Sequence, residues 1–255
     1  MSAPIGYDVQ GRADAPVLVL APSLGTHPDM WSPLLGLFAE QFRVMRVELR
    51  GHAGEPPPGP YTLADTARDV LMSLDSIGVE RFSFCGLSLG AMTGMWLAAH
   101  VPERVDRLAL CCTSAHMPPA QGWLDRAATV RRSGMAAVAD AVVARWFTAD
   151  FAAASPGVVS WARDMLLATP AEGYAGCCEA IAAMDLRPIL ASITTPTLVL
   201  AGDQDPSTPP AHAEVIVGGI ADARLVVVRD VSHLATAQEP DLCAQVLLDH
   251  LGGTS

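Results

Sequence analysis

Gly86-Leu87-Ser88-Leu89-Gly90 is the segment of this 255-residue sequence whose residue types and spacing bear most directly on chemistry. A serine hydroxyl is a poor nucleophile until a base takes its proton, and a G-x-S-x-G pentapeptide can present it to one. The five letters alone are weak, because an ordinary glycine-containing turn would match them. The flanks carry the argument. Arg81-Phe82-Ser83-Phe84-Cys85 reads as a buried strand, and Leu89 to His100 as a helix ending before Pro102. A strand-to-helix turn that tight strains the serine backbone and leaves no room on either side. Glycines at 86 and 90 relieve the crowding, and the serine oxygen emerges at a helix N-terminus. The G-x-G-x-x-G of a dinucleotide site is absent.

An activated serine needs a histidine, itself oriented by a carboxylate, and behind such a turn the chain order is Ser, acid, His. His212, His233 and His250 are the histidines late enough in the chain. His212 falls in a helical stretch after Pro209-Pro210, and His250 at the end of the last helix, where an exposed position is expected. His233, in Asp230-Val231-Ser232-His233-Leu234, lies in the loop between the last strand and the last helix and is the candidate base. The loop Gly202-Asp203-Gln204-Asp205-Pro206 offers two acids. Asp205, further into the loop, is favoured; Asp203 is expected to accept backbone hydrogen bonds in the turn. The oxyanion formed on attack needs two backbone N–H donors. Leu89, directly after Ser88, is one candidate. Leu24, in Pro22-Ser23-Leu24-Gly25-Thr26, is the other.

Short Val- and Leu-rich runs alternating with helical patterns must position these residues, the signature of a mainly parallel sheet. Strands are expected at Val17 to Ala21, Phe42 to Leu49, Arg81 to Cys85, Val105 to Cys112, Thr197 to Ala201 and Arg224 to Val228. Thr62 to Ile77 has apolar residues at helical spacing, and Asp241 to Leu251 reads as a closing helix. Between Thr113 and about Arg187 the chain is alanine-rich, with Trp123, Trp146 and Trp161 and no strand pattern. The expected organisation is an α/β core of residues 1–113 and 188–255, with residues 114–187 inserted as a helical cap.

Composition excludes several functions. The formal net charge is −11 and all 16 basic residues are arginine, so nucleic acid is repelled and lysine-dependent chemistry is ruled out. The six cysteines form no C-x-x-C pair and the histidines no H-E-x-x-H spacing, so free thiols and no metal site are expected. No apolar stretch reaches the ~20 residues of a membrane span. With no basic start and apolar run at the N-terminus, a cytoplasmic location is expected.

The pieces Ser23-Leu24-Gly25, Arg50-Gly51-His52, Gly86-Leu87-Ser88-Leu89-Gly90, Arg145-Trp146-Phe147-Thr148 and Glu172-Gly173-Tyr174 occur in this order. Cys178-Glu179-Ala180-Ile181, Asp185-Leu186-Arg187, Gly202 to Asp205 and Ser232-His233 follow. Together they resemble the 3-oxoadipate enol-lactonases of the α/β-hydrolase superfamily, over about residues 17 to 250. The resemblance implies an α/β-hydrolase fold: a mainly parallel sheet with helices on both faces and an inserted cap. It also implies a cofactor-free enzyme of aromatic catabolism that opens an enol-lactone to 3-oxoadipate through an acyl-enzyme, with Ser88, Asp205 and His233 as triad. Ala91 replaces a second glycine of the family pattern. Ala53-Gly54-Glu55-Pro56-Pro57-Pro58 replaces its Gly-x-Ser, in a loop expected close to the pocket. A small carboxylated lactone entering an acidic protein needs a local cation. Arg131, ahead of Gly134-Met135, is the expected contact, followed by Arg145 beside Trp146. The alternatives are another carboxylesterase, a C–C bond hydrolase or a cofactor-free perhydrolase on the same fold. A non-catalytic ligand receptor is disfavoured by the intact Ser, Asp and His set.

Overall fold

This computed structural model describes residues 5–252. The chain opens with a short, largely exposed strand β1 (Tyr7–Gln10), then the apolar β2 (Val17–Ala21), α1 (Ser32–Ala39) and β3 (Arg43–Val47). Helix α2 (Leu63–Ser76) follows, started by a capping box in which Thr62 and Asp65 bond each other's backbone N–H. Next come β4 (Phe82–Leu87), α3 (Leu89–His100) and β5 (Val105–Cys111). Five helices then run without a strand: α4 (Ala120–Ser133), α5 (Ala136–Val143), α6 (Ala149–Ala154), α7 (Pro156–Ala168) and α8 (Ala171–Ala183). The chain closes with β6 (Thr197–Gly202), α9 (Pro210–Gly219), β7 (Ala223–Val228), α10 (Ala235–Gln238) and α11 (Pro240–Leu251).

The strands form one seven-stranded sheet in the order β1-β3-β2-β4-β5-β6-β7, parallel except for β1. Every residue of β4 and β6 is buried, as continuous apolar runs in a sheet covered on both faces should be. Helices α2 and α3 pack together, and α1 packs on α11. From β2 the chain steps outward to β3 and then returns across β2 to β4. The switch in direction therefore lies between β2 and β4, and the loops leaving their C-terminal ends part there to leave a crevice. The helical stretch after β5 is pinned at its base by an antiparallel bridge between His116 and Asp185, and by the Leu186 N–H donating to Ala115 O at 2.8 Å.

Three differences from the sequence reading have physical reasons. Strand β1 was not expected: four mostly exposed residues with one apolar side chain in the middle carry no core pattern. Helix α1 was not expected either, beginning with Ser32-Pro33 and carrying Gly36. Strand β4 runs through Gly86 and Leu87, so the turn is confined to Ser88 itself. The six cysteines are all buried and free. No helix among the described residues is long and apolar enough to cross a membrane.

Two glycines give opposite expectations for stability. Gly36 is exposed within α1 and an added methyl would meet nothing within 4 Å, so Gly36→Ala should gain roughly 0.5–1 kcal/mol from helix propensity. Gly173 in α8 lies against the backbone of Gly51, where a methyl would overlap the carbonyl. Gly173→Ala should lose about 1–3 kcal/mol or more to overpacking. Urea denaturation of both variants checks the pair, and an unmoved midpoint for Gly173→Ala would refute the contact.

Candidate active site

Ser88 stands at φ 55, ψ −113, a strained conformation for a residue with a side chain, costing of order 1–3 kcal/mol. Surrounding bonds hold it there. The Ser88 N–H donates to Cys111 O at 2.9 Å, and the Ser88 carbonyl accepts from Met92 N and from the Thr113 hydroxyl, each at 2.9 Å. Glycine is required on both flanks by proximity. A methyl on Gly86 would strike the Gly90–Ala91 backbone, and one on Gly90 would strike the end of β2. The strain leaves the hydroxyl on the wall of a cavity of about 340 Å³.

His233 lines the same cavity, and its Nδ1 lies 2.7 Å from Asp205 Oδ2. That bond leaves Nε2 as the nitrogen free to serve Ser88. Asp205 is itself fully engaged: Oδ1 accepts from the N–H groups of Ser207 (2.8 Å) and Thr208 (3.1 Å), and Oδ2 also accepts from the Thr208 hydroxyl (2.6 Å). Burial alone would raise this carboxyl, but the His233 charge and hydrogen bond and those from Thr208 outweigh it and hold it down at about 2. Asp203 is exposed and accepts from the Val231 N–H at 3.4 Å. His212 stays on α9, with its Nδ1 unpartnered. His250 corrects the sequence expectation: it is buried, with Nε2 3.0 Å from Leu108 O, because α11 packs its final turn against β5.

The turn after β2 accounts for its N–H groups almost completely. Ser23 N donates to Met30 Sδ (3.2 Å), Gly25 N to His52 Nε2 (2.9 Å) and Thr26 N to Ser23 O (3.0 Å). Only Leu24 N has no acceptor among the described residues, and Leu24 lines the cavity beside Ser88. The Leu89 N–H, first in α3, is likewise without one. Two uncommitted donors next to a serine oxygen can stabilise a developing oxyanion. The Gly90 N–H donates to Pro22 O at 3.1 Å and ties the two loops together.

Leu24, Met92, Met117, Trp123, Val142 and Trp146 give the cavity an apolar wall, and Arg126 and Arg145 supply its positive charge. Neither guanidinium has a carboxylate partner among the described residues; Arg126 lies over the Trp123 ring at 4.6 Å and beside the Tyr174 phenol. The Tyr174 phenol is buried at the same cavity, pushed up by burial and by the neighbouring Cys178 thiol and eased by the adjacent Arg126 guanidinium and the Arg145 charge, although no partner meets it in good hydrogen-bond geometry.

Arg131, expected at the ligand, is elsewhere. It bonds Glu172 at 2.8 Å and Glu179, two residues on one face of α8, and so clamps α4 to α8. Residues 126 and 131 sit five apart on α4, about 140° around the helix, so both cannot face the cavity. None of residues 53–58 lines the cavity either; that loop closes instead on Tyr61, whose hydroxyl donates to Pro57 O at 2.6 Å.

Gln238 escaped the sequence reading. Buried on α10, it donates to Thr148 Oγ1 (2.9 Å) and Asp230 O (2.7 Å) and accepts from the N–H groups of Thr148 and Ser232 (3.3 Å each). Ser232 Oγ further donates to Arg145 O (2.8 Å), and Leu234 N to Trp146 O (2.9 Å). The loop carrying His233 is thus sewn to residues 145–148. Thr208 was legible in principle from its place three residues after Asp205, where an Asx-type turn puts a hydroxyl. Among the described residues no group of three His, Cys, Asp or Glu side chains gathers as a metal site would require.

The sequence matches the alpha/beta hydrolase family over residues 18–246. It is 38% identical over 237 residues to 3-oxoadipate enol-lactonase 2 of Acinetobacter baylyi, covering 92% of this chain and 88% of that one. The enol-lactonase from Burkholderia xenovorans LB400 superposes with a TM-score of 0.95 at 41% identity, covering 98% of this chain and 96% of its own. A thermophilic esterase from Thermogutta terrifontis, solved with malate bound, superposes at 0.90 with 27% identity, over 96% and 92% of the two chains.

Ser88→Ala should lower kcat by something on the order of 10⁶, with His233→Ala nearly as severe and the double variant little worse, since such residues act as one unit. Losses that multiply in steady-state assays would separate the two residues. Asp205→Asn should cost about 10⁴ in kcat and Asp203→Asn far less. Because the folded Asp205 carboxyl lies at about 2, below its ordinary value of 3.8, its stabilisation is present above pH 4 and lost as pH falls through about 2. The stability gap between wild type and Asp205→Asn should therefore narrow across that window in chemical denaturation; a constant gap would contradict the pairing.

Proposed function

This chain belongs to the alpha/beta hydrolase family, and from that premise we propose that it opens the ring of 3-oxoadipate enol-lactone through an acyl-enzyme on Ser88. The observation that carries the reading is Ser88 on the same cavity as His233, whose Nδ1 is bonded to Asp205, with two arginines there that have no carboxylate partner among the described residues. His233 Nε2 takes the Ser88 proton as Oγ attacks the lactone carbonyl, and the Leu24 and Leu89 N–H groups receive the oxyanion. Collapse breaks the ring C–O bond. The departing enolate oxygen takes its proton from His233, and the enol relaxes to the ketone. Water then attacks the acyl-enzyme with His233 as base, releasing 3-oxoadipate and restoring Ser88.

The substrate carboxylate meets Arg126, with Arg145 as the second cation. A net charge of −11 offers no general attraction for an anion, so recognition has to be local. Arg126 is half-buried and Arg145 more exposed. The buried Tyr174 hydroxyl beside Arg126 is a further donor for a polar ligand atom. Residues 114–187 act as a cap, since α4, α5 and the Arg145-Trp146 segment supply one wall of the cavity.

Turnover of 3-oxoadipate enol-lactone against neutral lactones and esters of similar size tests the assignment. The carboxylated lactone should have the highest kcat/KM. Arg126→Ala should lower that value by about 10- to 150-fold, the equivalent of the ~1.5–3 kcal/mol of a hydrogen bond to a charged group. The neutral lactones should be nearly unaffected, and Arg131→Ala should leave the preference unchanged. Equal losses on charged and neutral substrates after Arg126→Ala would assign that arginine to support of α4 instead.

A further inference from the structure

Arg50-Gly51-His52 has no place in the triad, yet His52 is buried directly behind the turn that carries Leu24. Its Nε2 receives the Gly25 N–H at 2.9 Å, so that nitrogen carries a lone pair and the ring proton sits on Nδ1. Nδ1 in turn donates to Arg50 O at 3.2 Å. Burial pushes the imidazole down to about 4, against a smaller opposing effect of the Arg50 carbonyl, and so preserves the lone pair.

The turn around Leu24 is pinned peptide by peptide. Ser23 O accepts from both Thr26 N (3.0 Å) and Thr26 Oγ1 (2.8 Å). In a trans peptide the C=O and N–H point opposite ways, so this grip directs the Leu24 N–H away from Thr26. The next peptide plane contains the Gly25 N–H, and among the described residues His52 alone holds it. Gly25 has φ +78, the left-handed region that glycine enters freely, so without that grip the plane could swing.

We infer that His52 is a positioning residue for the oxyanion hole, fixing the Gly25 amide so that the Leu24 N–H stays aimed at the oxygen that gains charge when Ser88 attacks. The inference rests on the acyl-transfer reading above. His52 is itself anchored well away from the cavity. Arg50 pairs with Asp69 of α2 at 2.7 Å and lies over the Tyr61 ring at 5.6 Å, and its carbonyl also accepts from Cys177 Sγ of α8 at 3.4 Å. Packing of α8 on the core thereby reaches the oxyanion donor through one imidazole.

The test compares His52→Phe, which keeps a ring and removes the acceptor, with His52→Gln, which restores one. Three quantities are read: kcat, KM, and the affinity of a trifluoromethyl ketone that forms a tetrahedral oxyanion on Ser88. His52→Phe should lose about 10²-fold in kcat, the cost of misaimed catalytic geometry, and a similar factor in ketone affinity. KM and product binding should move little, and His52→Gln should recover much of the loss. A kcat close to wild type in His52→Phe, a loss carried by KM, or a glutamine variant no better than phenylalanine would overturn the assignment. If His52→Phe does not fold, the ¹⁵N spectrum of the wild-type protein decides: an unprotonated Nε2 coupled to the Gly25 N–H supports the role, and a protonated Nε2 refutes it. Wild-type enzyme that cleaves other esters but not the lactone would sink the substrate reading alone, and the same comparison would be read on those esters.

Discussion

The contact between the end of β2 and the first turn of α3 is the constraint on which the site depends. Ala21 and Gly86 are register partners on adjacent parallel strands, and Gly90 N reaches Pro22 O across the gap at 3.1 Å. That approach is open only because residue 90 has no Cβ. With it, the last peptides of two strands diverge around a crevice, and the two N–H groups left without an acceptor among the described residues, those of Leu24 and Leu89, belong to the turns on either side of it. The strain at Ser88 follows from the same geometry, since the chain must pass from strand to helix within one residue. A sheet with its direction switch elsewhere would not bring these loops together.

The electrostatics are arranged around scarcity of positive charge. Among the described residues nine arginines have a carboxylate within 4 Å, including Arg46 and Arg50, whose side chains are almost wholly buried. Six of these pairs join segments distant in sequence, while Arg12–Asp14, Arg68–Asp65 and Arg187–Asp185 are local. The two guanidiniums on the cavity are not spent in this way, although carboxylates outnumber arginines 27 to 16. Each keeps its charge without a neighbouring carboxylate, beside a buried phenol and an apolar wall, the setting in which a charge-assisted hydrogen bond to an anion displaces least existing structure.

Much of this was legible in the sequence where steric necessity narrows the choice of residue. Glycines 86 and 90 mark the turn at Ser88 because backbone approach excludes any side chain, and the apolar runs of β4 and β6 mark a sheet covered on both faces. The loop residues Leu24, Asp205 and His233 could be placed at one sheet edge because parallel strands deliver their C-terminal loops to the same side. Legibility ended where helix phase decided the outcome. Arg126 and Arg131 are equivalent in composition, and only the packing of α4 on α8 turns one to the cavity and the other to Glu172 and Glu179. The exposed β1 and the buried His250 were missed for a related reason: each takes its environment from a neighbour distant in sequence, Val47 to Val44 for the strand and Leu108 for the histidine.

The His233 loop and the cavity wall are also tied into one hydrogen-bonded unit. Gln238 satisfies its four hydrogen-bonding positions on Thr148, Asp230 and Ser232, and the residues either side of His233 bond Arg145 O and Trp146 O. A displacement of residues 145–148 therefore carries the His233 loop with it, whereas Asp205, held by its own turn and Thr208, stays with β6. The Asp205–His233 bond is the joint between the two bodies. The orientation of the imidazole therefore depends on the packing of residues 145–148, which reaches the His233 loop through a single buried amide and two backbone carbonyls.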